Sequence, residues 1–187
     1  MTDRDALTAV RALAVVAAVV VIVRSLAGVR GERIVPKTAW QYIWILYLVD
    51  YAILLNHPVV VAVPGWYDAL VRPFAVALMA LGIVVVSWAY ATMGGYWSGA
   101  ISAREDHRVV TSGPFAFARH PVYAAYLLGV AGGALALADP LAAVAAIVSA
   151  PIMHGRAAAE ERFLEERLGD AYREYRHRVR MFVPGLF

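Results

Sequence analysis

Two polar segments interrupt an otherwise apolar chain. The first spans residues 105–123 and is rich in arginine, histidine and hydroxyl groups, and the second spans residues 154–161 and ends in two adjacent glutamates. Arginine holds a carboxylate through paired hydrogen bonds, and aromatic faces attract cations. The two segments therefore supply arginine, histidine and paired carboxylate side chains that could do chemistry if they share one pocket.

Each of these residues also has an ordinary structural explanation. Arg119 suits a helix end that anchors at the membrane interface. The others match a helix start, an aromatic belt, a topology-setting charge and exposed helical acids: His120, Tyr123, Arg156, Glu160 and Glu161. The functional hypothesis depends on their being close together in space.

Two predicted helices would bring the segments together. The apolar pattern predicts a fourth helix at 121–138 and a fifth at 140–153, with Asp139-Pro140 as the turn. Asp is a favoured N-cap and Pro suits the first helical position. Because a hairpin places the start of one helix beside the end of the other, the polar segments should border one pocket. Small residues of the fourth helix are predicted to let the hairpin close tightly: Gly129, Gly132, Gly133, Ala134 and Ala136.

Composition points to a lipid setting. Of 187 residues, 61% are hydrophobic and 17% charged, whereas soluble domains average about 25% charged. The sequence predicts an all-α polytopic membrane protein with about five transmembrane helices plus a C-terminal amphipathic cytoplasmic helix, in one domain covering residues 1–187. The spans are predicted at residues 7–23, 39–63, 69–93, 121–138 and 140–153. The absence of cysteine excludes disulfides and thiolate sites, and the net charge of +3 is too small to indicate nucleic-acid binding.

Charge and periodicity predict the topology and the tail. Basic residues concentrate in the first loop, the loop after the third span and the tail. The positive-inside rule then places the N-terminus outside and the active site and C-terminus in the cytoplasm, in a bacterial inner membrane. The tail should either lie on the anionic leaflet or fold back over the helix ends. Its stripe predicts a single helix: Glu161, Leu164, Leu168, Tyr172, Tyr175, Val179 and Phe182.

The last half of the chain resembles a known family. The signal is the ordered set of an HRVVTSGPF run at 107–115, an RHPVY run at 119–123, the EERFL run at 160–164 and tail positions from Leu168 to Pro184. This set resembles the isoprenylcysteine carboxyl methyltransferase family, with its relatives among bacterial membrane methyltransferases and phospholipid methyltransferases. The resemblance implies a binding region for S-adenosylmethionine at about 104–187 and no metal.

The resemblance also implies roles for individual residues. Arg119 and Arg156 would face the substrate carboxylate as the catalytic pair. The cofactor would contact seven residues, with a glutamate pairing its ammonium: His107, Val110, Thr111, His120, Tyr123, Glu160 and Glu161.

The function favoured is methyl transfer from S-adenosylmethionine to a lipophilic or lipidated substrate, as O-methylation of a prenyl- or lipid-linked carboxylate. A carboxylate nucleophile needs no general base near neutral pH, and two arginines would repel a protonated amine. Three alternatives stay open: a phospholipid or amine N-methyltransferase of the same fold, a sterol-reductase-like NADPH enzyme, and a membrane protein without catalysis.

Overall fold

The computed structural model describes residues 2–27, 43–56, 61–96 and 108–182. Within these ranges the chain is helical and has no β-strand, which confirms the all-α class. Three stretches are long and apolar enough to cross a membrane, Asp3–Arg24, Tyr67–Tyr96 and Pro140–Leu168, while the count of five spans stays a prediction. The α-helices are α1 (Asp3–Ala27), α2 (Ile43–Asn56), α3 (Arg72–Met93), α4 (Pro121–Leu137), α5 (Pro140–Leu168) and α6 (Asp170–Arg178).

The predicted hairpin between α4 and α5 is confirmed. Ala138 ends α4 in the left-handed region at φ +52°. The carboxylate of Asp139 then accepts hydrogen bonds from the backbone N–H groups of Leu141 at 2.8 Å and Ala142 at 3.3 Å. This N-cap, followed by Pro140, starts α5 where the sequence predicts it.

The small residues of α4 face different partners from those predicted. A Cβ at Gly132 would lie 2.8 Å from the carbonyl oxygen of Ala75 on α3, and one at Gly133 would lie 2.7 Å from the Leu54 side chain on α2. From the other side, a Cβ at Gly82 on α3 would lie 2.7 Å from the Ala125 carbonyl oxygen. The prediction that the glycines serve the α4–α5 contact was therefore wrong for Gly132 and Gly133, which let α4 approach α3 and α2, and a Cβ at Gly129 would meet nothing within 4 Å.

Helix α5 is longer than the predicted fifth span. It continues through Pro151 to Leu168, for 29 residues, or about 43 Å at 1.5 Å per residue. A hydrocarbon core is about 30 Å thick, so α5 is long enough to extend beyond it. The polar residues after Met153 thus sit on the same rigid helix as the apolar ones.

The tail is not one continuous helix. Gly169 adopts φ +58° and separates α5 from α6, so the prediction of a single amphipathic helix from 161 to 182 was wrong. After α6 the chain runs alongside the segment before α4, where the Arg119 N–H donates to the Arg180 carbonyl at 2.8 Å and the His120 N–H donates to that of Met181 at 2.9 Å. Of the two alternatives for the tail, folding back over the helix ends is the one observed.

Candidate active site

The open end of the α4–α5 hairpin gathers the polar residues of both segments. We call this set the hairpin-base cluster: Arg119, His120, Tyr123, Arg156, Glu160 and Glu161. Three precede or begin α4 and three lie on α5. The imidazole of His120 stacks on the Tyr123 ring with centroids 5.3 Å apart and planes 6° apart. The co-location predicted from the two helices is therefore present.

Glu161 forms the buried half of the cluster. It is 1% exposed, and its Oε1 accepts a 2.6 Å hydrogen bond from Arg119 Nε and lies 3.1 Å from His120 Nε2. Its Oε2 lies 3.3 Å from Arg176 Nε on α6. A buried carboxylate is costly unless it is paired and hydrogen-bonded. Oε1 is thus hydrogen-bonded, whereas Oε2 is ion-paired with Arg176 and has no hydrogen-bond partner among the described residues.

Glu160 forms the partly exposed half of the cluster. Its side chain is 30% exposed, and its Oε2 lies 3.9 Å from His120 Nδ1. The same oxygen accepts a 2.5 Å hydrogen bond from the Tyr123 hydroxyl, which in turn accepts one of 2.9 Å from Arg156 Nε. The tyrosine hydroxyl therefore joins a guanidinium to a carboxylate and keeps the two charges apart. We call these three residues the Arg156–Tyr123–Glu160 relay.

Arg119 ties the cluster to the tail. Besides Glu161, its guanidinium donates to the Arg176 carbonyl oxygen at 3.1 Å and to the Val179 carbonyl oxygen. These carbonyls lie at the C-terminal end of α6, where a cation interacts favourably with unpaired carbonyl groups. Arg119 thus links the start of α4, helix α5 and the end of α6.

Two buried tyrosines complete the docking of α6. The Tyr175 hydroxyl donates to the Phe115 carbonyl oxygen at 2.7 Å, and the Tyr172 and Tyr175 rings meet edge-on at 6.0 Å. Burial raises the pKa of both phenols, and the Glu161 carboxylate raises it further. Both tyrosines therefore stay neutral near physiological pH, and Tyr175 keeps its donor hydrogen.

An apolar cavity of about 270 Å³ lies beside the cluster, between α1, α2, α3 and α4. Its wall includes Val122 and Tyr126 of α4 and Tyr47 of α2. Tyr47 also packs against the core group of Tyr123 and Met153. Tyr47, Val122 and Tyr126 therefore both line the cavity and pack against the core group that contains Tyr123.

Comparison with known proteins assigns the region that carries this geometry. Residues 75–166 match the isoprenylcysteine carboxyl methyltransferase (ICMT) family. This part of the chain is therefore ICMT-like. The ICMT segment covers most of α3, all of α4 and most of α5, and hence every residue of the hairpin-base cluster.

Individual relatives carry two kinds of name. The chain is 34% identical over 123 residues to the cobalt-zinc-cadmium resistance protein CzcN of Cupriavidus metallidurans, covering 65% of this chain and 54% of that protein. It is 32% identical over 114 residues to protein-S-isoprenylcysteine O-methyltransferase B of Arabidopsis thaliana, covering 59% and 58%. A Dictyostelium discoideum protein-S-isoprenylcysteine O-methyltransferase matches at 25% identity over 171 residues, covering 79% and 72%. The chain thus spans little more than half the length of the first two.

The remaining site predictions have different outcomes. Val110 and Thr111 lie in the non-helical segment before the 3₁₀ turn Gly113–Ala116, and no hydrogen bond or ion pair joins them to the cluster within the described residues. His107 lies outside the described residues. Among the residues that are described, no group of three or more His, Cys, Asp or Glu side chains is placed to hold a metal ion. The individual roles in cofactor or substrate binding stay predictions.

Three neighbours of the cluster were not singled out from the sequence as site residues. Arg176 pairs with Glu161, Phe182 places its ring 6.1 Å from that of His120, and Tyr47 places its ring 4.4 Å from that of Tyr126. Arg176 and Phe182 reach the cluster only because the tail folds back. For Tyr47 a signal exists, since it lies three residues from Asp50, an acid within an apolar run.

Proposed function

We propose that the chain transfers a methyl group from S-adenosylmethionine to the carboxylate of a lipophilic, prenyl- or lipid-linked acceptor. The observation that carries the proposal is the Arg156–Tyr123–Glu160 relay beside an apolar cavity. A zwitterionic donor and an amphiphilic acid both need charge and apolar surface within a few ångströms of each other. The names of the methyltransferase relatives point to the same reaction.

The residues of the relay fit the amino-acid end of the donor. Glu160 is partly exposed, and its oxygen contacts a neutral hydroxyl rather than an arginine, so it can accept an ammonium group. When bound, the donor supplies an electrophilic methyl carbon on sulfonium. Glu161, whose oxygens already face Arg119, His120 and Arg176, is in our proposal a structural residue.

Arg156 is our candidate for holding the acceptor. It is 3% exposed, and its guanidinium carbon lies 5.6 Å from the centre of the Tyr123 ring. A carboxylate that enters this site must lose water, and a guanidinium compensates by donating hydrogen bonds in a fixed geometry. Arg119, which donates to Glu161 and to two carbonyls of the tail, serves in this proposal to position α6.

The cavity supports a lipophilic acceptor. Apart from tyrosine hydroxyls, its lining side chains are hydrocarbon or thioether, with small residues of α1 such as Ala14 and Ala17 widening it. Burying a chain of methylene groups there contributes about 0.8 kcal/mol for each group. We place this site at the cytoplasmic face of a bacterial inner membrane, with the N-terminus outside. Reagent accessibility of single cysteines at Thr2 and His177 would test that orientation, because the natural chain has no cysteine.

The decisive experiment compares two glutamates of the same helix. In Glu160→Gln the amide keeps the shape of the side chain and still accepts from Tyr123, but it loses the charge that would pair with an ammonium. We expect affinity for adenosylhomocysteine, measured by calorimetry in nanodiscs, to fall by about tenfold or more, as for a lost charge-assisted contact. Glu166→Gln is the matched control, because Glu166 is exposed on α5.

The outcomes separate the proposal from its competitors. If wild type and Glu160→Gln bound adenosylhomocysteine with equal affinity, Glu160 would not pair with the ammonium group of the donor. Binding of NADPH in place of adenosylhomocysteine would favour the reductase. With radiolabelled donor, a base-labile methyl ester supports the carboxylate acceptor, whereas a base-stable product supports an amine.

A further inference from the structure

A second polar group lies inside the apolar body of the helices. Asp50 of α2 is 2% exposed. Its Oδ2 accepts a 2.7 Å hydrogen bond from the Ser149 hydroxyl of α5 and another from the Tyr126 hydroxyl of α4. The two hydroxyls lie 3.4 Å apart. We call Asp50, Tyr126 and Ser149 the Asp50 lock, since one side chain from each of three helices meets at one oxygen.

Holding the helices together through the Asp50 lock costs free energy. Both of these donors are neutral hydroxyls, and a buried acid costs several kcal/mol unless its partners compensate. Well-packed apolar side chains of similar volume are often at least as stabilising as a buried polar group. Hydrogen bonds between side chains fix the register of α2 against α4 and α5, because they are lost if α2 slides along its neighbours. The lock therefore fixes where α2 sits more than how tightly it is held.

The residue that this register places is Tyr47. It lies three residues before Asp50, on the same side of α2. Its ring meets the Tyr126 ring edge-on at 4.4 Å, and its hydroxyl lies 3.9 Å from the Met153 sulfur. Tyr47 thus contacts both helices of the hairpin one turn from Tyr123 and Arg156. It also lines the apolar cavity.

We propose that the Asp50 lock is a positioning device for the acceptor. It sets Tyr47 as the wall between the cavity and the hairpin-base cluster, so that an apolar chain in the cavity presents its carboxylate at the Arg156–Tyr123–Glu160 relay. Asp50 acts through Tyr126 and Tyr47 and touches no reacting atom. This inference rests on the proposed function. It assigns control over the acceptor to α2, which lies outside the ICMT segment at 75–166.

The test compares three substitutions on α2 in nanodiscs. Asp50→Leu removes the lock, Asp50→Asn keeps an oxygen that accepts from both hydroxyls, and Asn56→Ala is the control at the exposed end of the same helix. The probes are adenosylhomocysteine and a farnesyl thioether carboxylic acid, each measured for affinity, with KM and kcat for methylation of the acid. Hydrogen exchange of residues 43–56 reports whether α2 is released.

The inference expects a selective effect on the acceptor. In Asp50→Leu the KM and the dissociation constant for the farnesyl acid should rise by about tenfold or more, while kcat and adenosylhomocysteine affinity change by less than about threefold. Asp50→Asn should stay within about threefold of wild type. A purely structural lock would instead lower both affinities together. That result, or an unchanged acceptor affinity in Asp50→Leu, would overturn the inference.

The readouts keep the two proposals apart. If wild type binds the farnesyl acid without methylating it, the proposed function fails, and the affinity of Asp50→Leu for that acid still decides the inference. If wild type methylates the acid and Asp50→Leu does so with an unchanged KM, the inference alone fails. Binding of neither probe by wild type would overturn both.

Discussion

Each end of the helical body contains a buried arginine near carboxylates, but the two arginines contact those carboxylates differently. At one end Arg72 of α3, 1% exposed, pairs with Asp3 of α1 and lies 3.2 Å from Asp68. At the other end the Nε of Arg156 donates to the Tyr123 hydroxyl, and that hydroxyl donates to Glu160. Both aspartates are partly exposed. Arg72 contacts them directly and thereby holds α1 against α3. The hairpin-base cluster instead keeps its two charges apart beside aromatic rings.

The difference shows that a buried arginine with acids is not by itself a binding site. Charges in direct contact neutralise each other and leave little for a ligand. When a hydroxyl lies between the guanidinium and the carboxylate, the positive and negative charges stay a few ångströms apart. The contrast recurs between neighbours in the chain, since Glu161 contacts Arg119 directly whereas Glu160 does not. Glu161 should therefore behave like a structural tie and Glu160 like a ligand contact.

The largest effect is expected from Glu161→Gln. The amide cannot balance the guanidinium of Arg119, so a buried ion pair is broken from one side, which costs about 3–5 kcal/mol in stability. Unfolding of the purified protein in detergent, followed by circular dichroism, measures the change. Glu166→Gln should unfold like wild type. If Glu161→Gln kept full stability but lost adenosylhomocysteine affinity, the assignment of the two glutamates would have to be reversed.

Arg156 tests the functional side of the comparison. We expect Arg156→Ala to lower kcat/KM for the farnesyl acid by about 10²–10³-fold, the range seen when one preorganised donor is removed. Adenosylhomocysteine affinity should be largely kept. Arg156→Lys should recover part of the rate only, because an ammonium keeps the charge and lacks the planar fork. Unchanged turnover in Arg156→Ala would show that Arg156 does not hold the acceptor.

The smallest effect is expected from Arg72→Met at the opposite end. Methionine keeps much of the buried volume, and Asp3 and Asp68 are exposed enough to be rehydrated. The loss should be at most about 1–2 kcal/mol of stability. Adenosylhomocysteine affinity and kcat should match those of wild type. Reduced affinity in a stable Arg72→Met protein would mean that the two ends of the helical body are energetically coupled.

Much of the site could be read from local sequence rules. Asp139-Pro140 predicts where α5 begins, and an apolar hairpin then requires residues near 120 and 156 to be neighbours. These inferences work because capping and span length depend on a few adjacent residues. The glycines of α4 show the limit. Their sequence indicates close packing, but whether α3 or α5 is the partner depends on the direction in which each faces.

The tail shows the same limit from another side. A glycine inside a helix costs only about 1 kcal/mol relative to alanine, so Gly169 alone did not predict a break. The break follows from contacts that α6 makes after turning back, including Tyr175 to Phe115 and Arg119 to the end of α6. These contacts join residues about 60 positions apart in the chain.

The sequence alone determined that the chain is an apolar helical protein and that two polar segments meet at the base of one hairpin. Hydropathy, capping and spacing suffice for both conclusions, since each depends on residues close together in the chain. Only the tertiary structure decided which of Glu160 and Glu161 is buried and which is partly exposed. Consecutive residues on a helix point about 100° apart, so the returning tail reaches one and not the other. It also revealed that Asp50 of α2 meets hydroxyls of α4 and α5, which no local pattern encodes.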